Sequence, residues 1–176
     1  MTTNVILLRA VMPNGKNKVP MAQLREVLAN AGFGNVRSYI QSGNVLLDTK
    51  LSAAETQNRV HDLIKEHIGP DLAVVVRTSV QLQRMFANNP FQEGYDISRV
   101  FFVLFAQRPP AEKVKELLTQ DFEDEKLAIA GDAAYMYIPG PYSRKLSGNF
   151  LEKMLNVSAT MRSSKTLIKL VELSKG

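Results

Sequence analysis

Three short polar stretches carry the side chains whose types and spacing suit chemistry. The first is Gly15-Lys16-Asn17-Lys18, which follows an apolar run and precedes a helix-like segment. Phosphate-binding loops occupy such places, because a helix N-terminus presents N–H donors and a partial positive charge. Arg9, at the end of the apolar run, and Lys16 either converge on one anion, with Asn17 beside them, or form a solvated basic loop. The order of glycines, Lys and Ser/Thr that defines a nucleotide triphosphatase loop is missing, which disfavours that activity. The second stretch is Gln41-Ser42-Gly43-Asn44. Its amides and hydroxyl suit a small polar ligand, and the same residue types also build turns. No G-x-S-x-G surrounds Ser42, and the sequence places no base near it. The third stretch runs from Thr160 to Thr166 and contains Arg162, Ser163, Ser164 and Lys165. Ser163 or Ser164 suits a helix cap, and Arg162 and Lys165 then either flank a carboxylate or phosphate pocket at the helix N-terminus, with Thr166 a further candidate, or are two surface cations beside a plain Ser cap.

Other candidates are weaker. His61 and His67 stand six apart on one predicted helix. A helical metal pair needs spacing of three or four. His67, beside Val60 and Ile64, is expected at the edge of the core. Asp121, Glu123, Asp124 and Glu125 read as a solvated acidic turn. No structural metal and no cofactor are expected.

The elements that must position these residues follow from hydrophobic period and turn chemistry. Asn4–Ala10, Val36–Ile40, Val45–Thr49 and Leu72–Arg77 read as strands. Helices are expected over Pro20–Ala31 and Ser52–Ile68, closed by Gly32 and by Gly69-Pro70. Residues 4–77 thus spell the split βαβ order. A short helix with Leu82, Met85 and Phe86 leads to a loop near Asn88-Asn89-Pro90. Val100–Ala106, Leu127–Ala130, Ala134–Ile138 and Ser158–Arg162 are the second set of strands, with Gly131-Asp132 as a hairpin turn. Helices are marked by Val114 and Leu117, by Phe150 and Met154, and by Ser164–Leu173. The predicted fold is α+β, with two ferredoxin-like βαββαβ units of mostly antiparallel sheet packed together. The expected boundaries are 1–78, a connecting helix and loop over 79–99, and 100–176. No sequence identity between the halves is evident, so the repeat is read as architectural. Unbroken apolar runs at Val74–Val76 and Val100–Phe105 imply that both sheet faces are buried. That argues against RNA recognition on an open sheet, where aromatic side chains stack bases.

Composition bounds the rest. The chain has 176 residues, 45% hydrophobic and 22% charged, which suits a globular protein rather than a disordered one. Cys is missing, so disulfides, thiolate metal sites and Cys nucleophiles are excluded. No apolar run is long enough to span a bilayer, and the N-terminus lacks signal-peptide features. A cytoplasmic location is expected, with no membrane partner. The formal charge is +5, and residues 140–176, with seven basic and two acidic side chains, account for all of it. Such a quarter either meets a polyanion or carries Lys and Arg that keep amphipathic helices soluble, the reading favoured here, and nucleic-acid binding, if present, is expected to be weak and sequence-tolerant.

The stretch LLRAVMPNGKNKVPMAQLREVLANAGFGNVRSYIQSGNVLL resembles the N-terminal signature of the DUF1697 family, a bacterial family of unassigned function. VVVRTSVQLQRMFANNPF and ATMRSSKTLIKLVEL resemble its middle and end. The resemblance covers essentially the whole chain and implies an α+β fold. It brings no agreed catalytic residues. Arg9, Gly15, Lys16, Asn17, Gln41, Ser42, Gly43, Asn44, Thr160, Arg162 and Thr166 match motif positions. Ala10–Asn14 departs from the family's G-I-N-V-G, and Ser163-Ser164 stands where Asn-Trp is frequent. Three functions compete on this basis: a binding module for an anionic ligand, an enzyme using Ser42 or Lys16 in the same pocket, and a structural or partner-binding protein. The sequence leaves oligomeric state open.

Overall fold

The computed structural model describes residues 1–176. The chain divides into two compact units, Met1–Arg84 with Leu170–Gly176, and Met85–Lys169. Each unit holds one four-stranded antiparallel sheet.

In the first unit, β1 (Thr2–Leu8), α1 (Met21–Asn30), β2 (Gly34–Tyr39), β3 (Asn44–Thr49), α2 (Ala53–His67) and β4 (Val74–Thr78) follow in sequence. The sheet order is β2-β3-β1-β4, the ferredoxin-like arrangement expected from the element order. Pro20 sets the entry to α1, with its fixed φ of −64°. α2 starts at a capping box: Ser52 Oγ accepts from Glu55 N, and Glu55 accepts from Ser52 N at 2.8 Å. Thr56, Val60 and Ile64, spaced by four, form its buried face. They pack with Leu24 and Leu28 of α1 against Ile6, Leu8, Val45, Leu47, Val74 and Val76 of the sheet. The alternating residues Val5, Leu7, Leu46 and Val75 are also fully buried, so both faces of the sheet are shielded from solvent. His67 departs from expectation. It lies at the solvent-exposed end of α2, with Nε2 facing Glu66 at 3.7 Å. The apolar face turns past it after Ile64.

Next come α3 (Ser79–Ala87) and a 3-10 turn at Ile97–Arg99. Asn89 ties off the intervening loop, accepting from Phe91 N at 2.9 Å and donating to Phe91 O at 3.2 Å. The second unit then runs β5 (Val100–Phe105), α4 (Ala111–Leu117), β6 (Lys126–Ala130), β7 (Ala133–Tyr137), α5 (Gly148–Leu155) and β8 (Ala159–Ser163), and α6 (Ser164–Ser174) follows, its residues from Leu170 onward counted with the first unit. Its sheet order, β6-β7-β5-β8, repeats that of the first unit strand for strand. Gly131 and Asp132 form a two-residue hairpin between Ala130 and Ala133, with Gly131 at φ +62°.

Val103, Phe105, Ala134, Met136, Leu151, Leu155 and Ala159 build the second core. On the opposite sheet face, Phe102 meets Tyr135 edge-on and Phe86 in a stacked pair, each at 5.7 Å. The Tyr135 hydroxyl donates to Met85 O at 2.7 Å, and burial pushes its pKa up to about 12. No helix is long and apolar enough to cross a membrane.

Candidate functional site

The first two polar stretches meet at one end of the first sheet. Leu8 N donates to Gly43 O at 2.9 Å, and Gln41 Nε2 donates to Val19 O at 3.3 Å. These bonds tie the turn between β2 and β3 to the loop after β1. That loop folds on itself through Met12 N to Asn17 O at 3.0 Å and Lys18 N to Gly15 O at 3.3 Å. Gly43 is held at φ +89°, and a Cβ there would stand 2.9 Å from Leu8 Cβ and from Val11 Cγ2. Only glycine satisfies both constraints. Ile40, at φ +50°, and Ala10, at φ +57°, complete a strained rim.

Within this cluster the polar side chains divide by task. Asn44 is fully buried and donates from Nδ2 to Tyr39 O at 3.2 Å and to Ser42 Oγ at 3.0 Å. It holds the turn closed, as Gln41 holds the loop. Ser42 hydrogen-bonds to no carboxylate or imidazole, so nothing here activates it as a nucleophile. Lys16 and Lys18 are exposed, whereas Arg9 and Asn17 are half-buried. The loop that follows β1 is itself basic, and the first acidic residue of the chain is Glu26.

The third stretch belongs to the second unit. Arg162 lies on β8 opposite Phe102 and is only 9% exposed. Its Nη1 donates to Met161 O at 2.9 Å and to the Thr160 hydroxyl. Desolvation lowers its pKa to about 10. Ser163 Oγ accepts from Thr166 N at 3.3 Å and pairs with the Thr166 hydroxyl at 3.2 Å, so Ser163 is the cap of α6.

A residue that pattern reading passed over has the same place in the first unit. Arg77 lies on β4 opposite Val5, is 5% exposed, and donates from Nη1 to Val76 O at 2.9 Å. Thr78 then caps α3, accepting from Gln81 N at 3.2 Å while Gln81 accepts from Thr78 N at 2.9 Å. Arg77-Thr78-Ser79 and Arg162-Ser163-Ser164 are the corresponding triplets in sequence, alike at the Arg and at the final Ser.

The acidic run is not a solvated turn throughout. Glu125 is 5% exposed, and its carboxylate accepts from the backbone N–H groups of Arg144, Lys145 and Leu146 at 3.1, 2.6 and 3.3 Å. Arg144 Nη2 donates to both carboxylate oxygens of Asp124, at 2.7 and 2.8 Å, and Lys145 meets Glu123 at 3.2 Å. Two of the basic residues of the C-terminal quarter are therefore balanced locally.

His61 sits between two carboxylates, with Nδ1 at 3.1 Å from Asp62 and Nε2 at 2.8 Å from Asp71. The bond to Asp71, then that to Asp62, raises its pKa. No group of three or more His, Asp or Glu side chains is arranged to hold a metal ion.

Fold and site together define a protein of two repeated ferredoxin-like units with a basic loop edge on the first. The family described as "Protein of unknown function (DUF1697)" matches residues 1–135, and the chain belongs to that family. It is similar to a solved structure described as a conserved bacterial protein from Streptococcus pneumoniae, at 23% identity, a TM-score of 0.79, and 98% coverage of each chain. At that identity the likeness speaks for the fold. A comparison with curated proteins finds no match.

Proposed function

We propose that the protein is a cytoplasmic binding module for a small anionic ligand, held at the loop edge of the first unit. Arg9 and Lys16 supply charge, Asn17 and Ser42 supply hydrogen bonds, and Gln41 and Asn44 fix the geometry. The observation that carries this reading is Gly43: it locks the turn against Leu8 and Val11 and so brings two separate motifs to one edge. Binding sites gain from such preorganised loops, because less ordering remains to be done when the ligand arrives. Arg162 and Thr166 are assigned instead to ordering the junction of β8 and α6. A phosphorylated metabolite is the favoured ligand class. Nucleic-acid contact at this edge would be weak and salt-sensitive, because few cations gather here and no aromatic platform accompanies them.

Calorimetric titration with inorganic phosphate and pyrophosphate tests the reading. Saturable binding that Lys16→Ala weakens about tenfold, with the melting temperature unchanged, is the expected result. Binding that is unaltered in Lys16→Ala, or no binding at all, would contradict it.

A further inference from the structure

We propose that the second unit carries a separate site for a small organic carboxylate with a short apolar body, under the 139–147 loop. A cavity of about 120 Å³ lies there, bounded by Phe101, Met136, Met161 and Leu146, with Arg99 and Ser143 also lining it. Phe101 and Met136 are register partners across β5 and β7. Met161 stands opposite Val103, so all three belong to the sheet face that carries the second core. Met136 is 1% exposed and Met161 is 42% exposed, so the floor runs from the core to open solvent. An apolar cavity of roughly 150 Å³ accepts a benzene ring, and the space here suits a body of about four to six carbons.

The polar groups select the head of the ligand. The Arg99 guanidinium makes one hydrogen bond, Nη1–H to Gly140 O at 3.2 Å, and its charge acts on Asp96 only at a distance, as the last and smallest cause of that carboxyl's lowered pKa. Asp96, close in sequence, is occupied by Ser98, whose N and Oγ donate to it at 3.0 and 2.7 Å. Arg144 and Lys145, on the same loop as the roof, are engaged by Asp124 and Glu123. Arg99 is thus the cation left to meet a ligand in this cavity. One planar cation above an apolar floor matches one carboxylate. A dianionic phosphate would bring a second charge with nothing to balance it, and no hydrocarbon to fill the floor.

The roof is set in advance. The buried Glu125 carboxylate gathers three consecutive N–H groups of the loop, at 144, 145 and 146. A loop fixed in this way does not have to be ordered by the ligand.

The test uses the full chain with methionine methyl groups labelled with carbon-13, titrated with isobutyrate and with neutral isobutyramide, which has nearly the same shape. The expected result is a saturable shift of the Met136 and Met161 methyl signals with isobutyrate in the millimolar range. Isobutyramide should bind about tenfold more weakly, since it lacks the charge that Arg99 meets. Arg99→Gln should reduce isobutyrate to the level of the amide while keeping the wild-type dispersion of methyl signals. Met161→Trp, which puts a bulkier side chain into the cavity, should abolish the Met136 response to both ligands. Missing or non-saturating shifts, equal affinity for acid and amide, or isobutyrate binding that survives both variants would overturn the proposal. So would a response of these methyls to inorganic phosphate as strong as that to isobutyrate.

Discussion

Arg77 and Arg162 occupy the same position in two repeated units. Each lies on the last strand of its sheet, opposite a buried residue of the first strand, Val5 for one and Phe102 for the other. Each donates Nη1–H to the carbonyl of the residue before it at 2.9 Å, and each is followed directly by a helix cap. A buried guanidinium retained twice at one register position is a fixed part of the strand-to-helix junction. Hydrogen bonds from charged groups contribute about 1.5–3 kcal/mol each, so Arg77→Ala and Arg162→Ala are each expected to lower stability by at least about 1.5 kcal/mol. Urea unfolding measures this. Either variant unfolding at the wild-type midpoint would remove the structural role.

Gly43→Ala should be costly for a local reason. The left-handed backbone alone costs about 1–2 kcal/mol for a residue with a Cβ, and here that atom would also press on Leu8 and Val11. The expected result is a lower unfolding midpoint together with shifted amide signals at Val11 and Gln41. A variant as stable as wild type would mean that the turn relaxes freely.

Glu125→Ala removes the acceptor for three loop N–H groups. The expected loss is about 1–3 kcal/mol, because the buried Leu146 N–H loses its acceptor along with two part-buried N–H groups. Amide hydrogen exchange offers a sharper readout, since protection at Lys145 and Leu146 should fall far more than protection at Met136 in the sheet. Uniform loss across the second unit would instead indicate global unfolding.

The His61–Asp71 pair sets a pH window. The His61 pKa lies above its ordinary 6.5, owing first to the bond with Asp71 and then to that with Asp62. Its stabilisation is therefore complete below 6.5 and is lost as pH rises through the raised folded value. Asp71 titrates below its ordinary 3.8, owing first to its bond with His61, so its share is present above 3.8 and lost as pH falls further. Stability from the pair should hold between about pH 4 and 6.5 and decline on both sides. His61→Ala should flatten the decline above 6.5. An NMR titration giving His61 a pKa below 6.5 would contradict the assignment.

Much of this architecture is legible in the residue pattern. The period-two apolar runs, the Gly131-Asp132 turn and the Ser52–Glu55 spacing each encode a local element, and the element order encodes the ferredoxin-like units. Unbroken apolar strands also foretell sheets buried on both faces. Long-range pairing is harder to read. Glu125 resembles its solvated neighbours in sequence, and only the arrival of residues 144–146 buries it. His67 shows the helical period drifting away from the core at the last turn. Gln41 and Asn44 look like ligand donors because amides suit both ligands and turns, and their side chains are partly spent on Val19, Tyr39 and Ser42. The Arg99 cavity has no local signature, since its lining comes from three strands and a loop.

The most direct measurement is where inorganic phosphate acts on the labelled full chain, followed through backbone amide shifts at low and moderate salt. The account predicts saturable shifts confined to Arg9, Gly15–Lys18 and Gln41–Asn44, weakening as salt rises. Shifts that never saturate, or that concentrate instead at Lys165, Lys169 and Lys175, would contradict it.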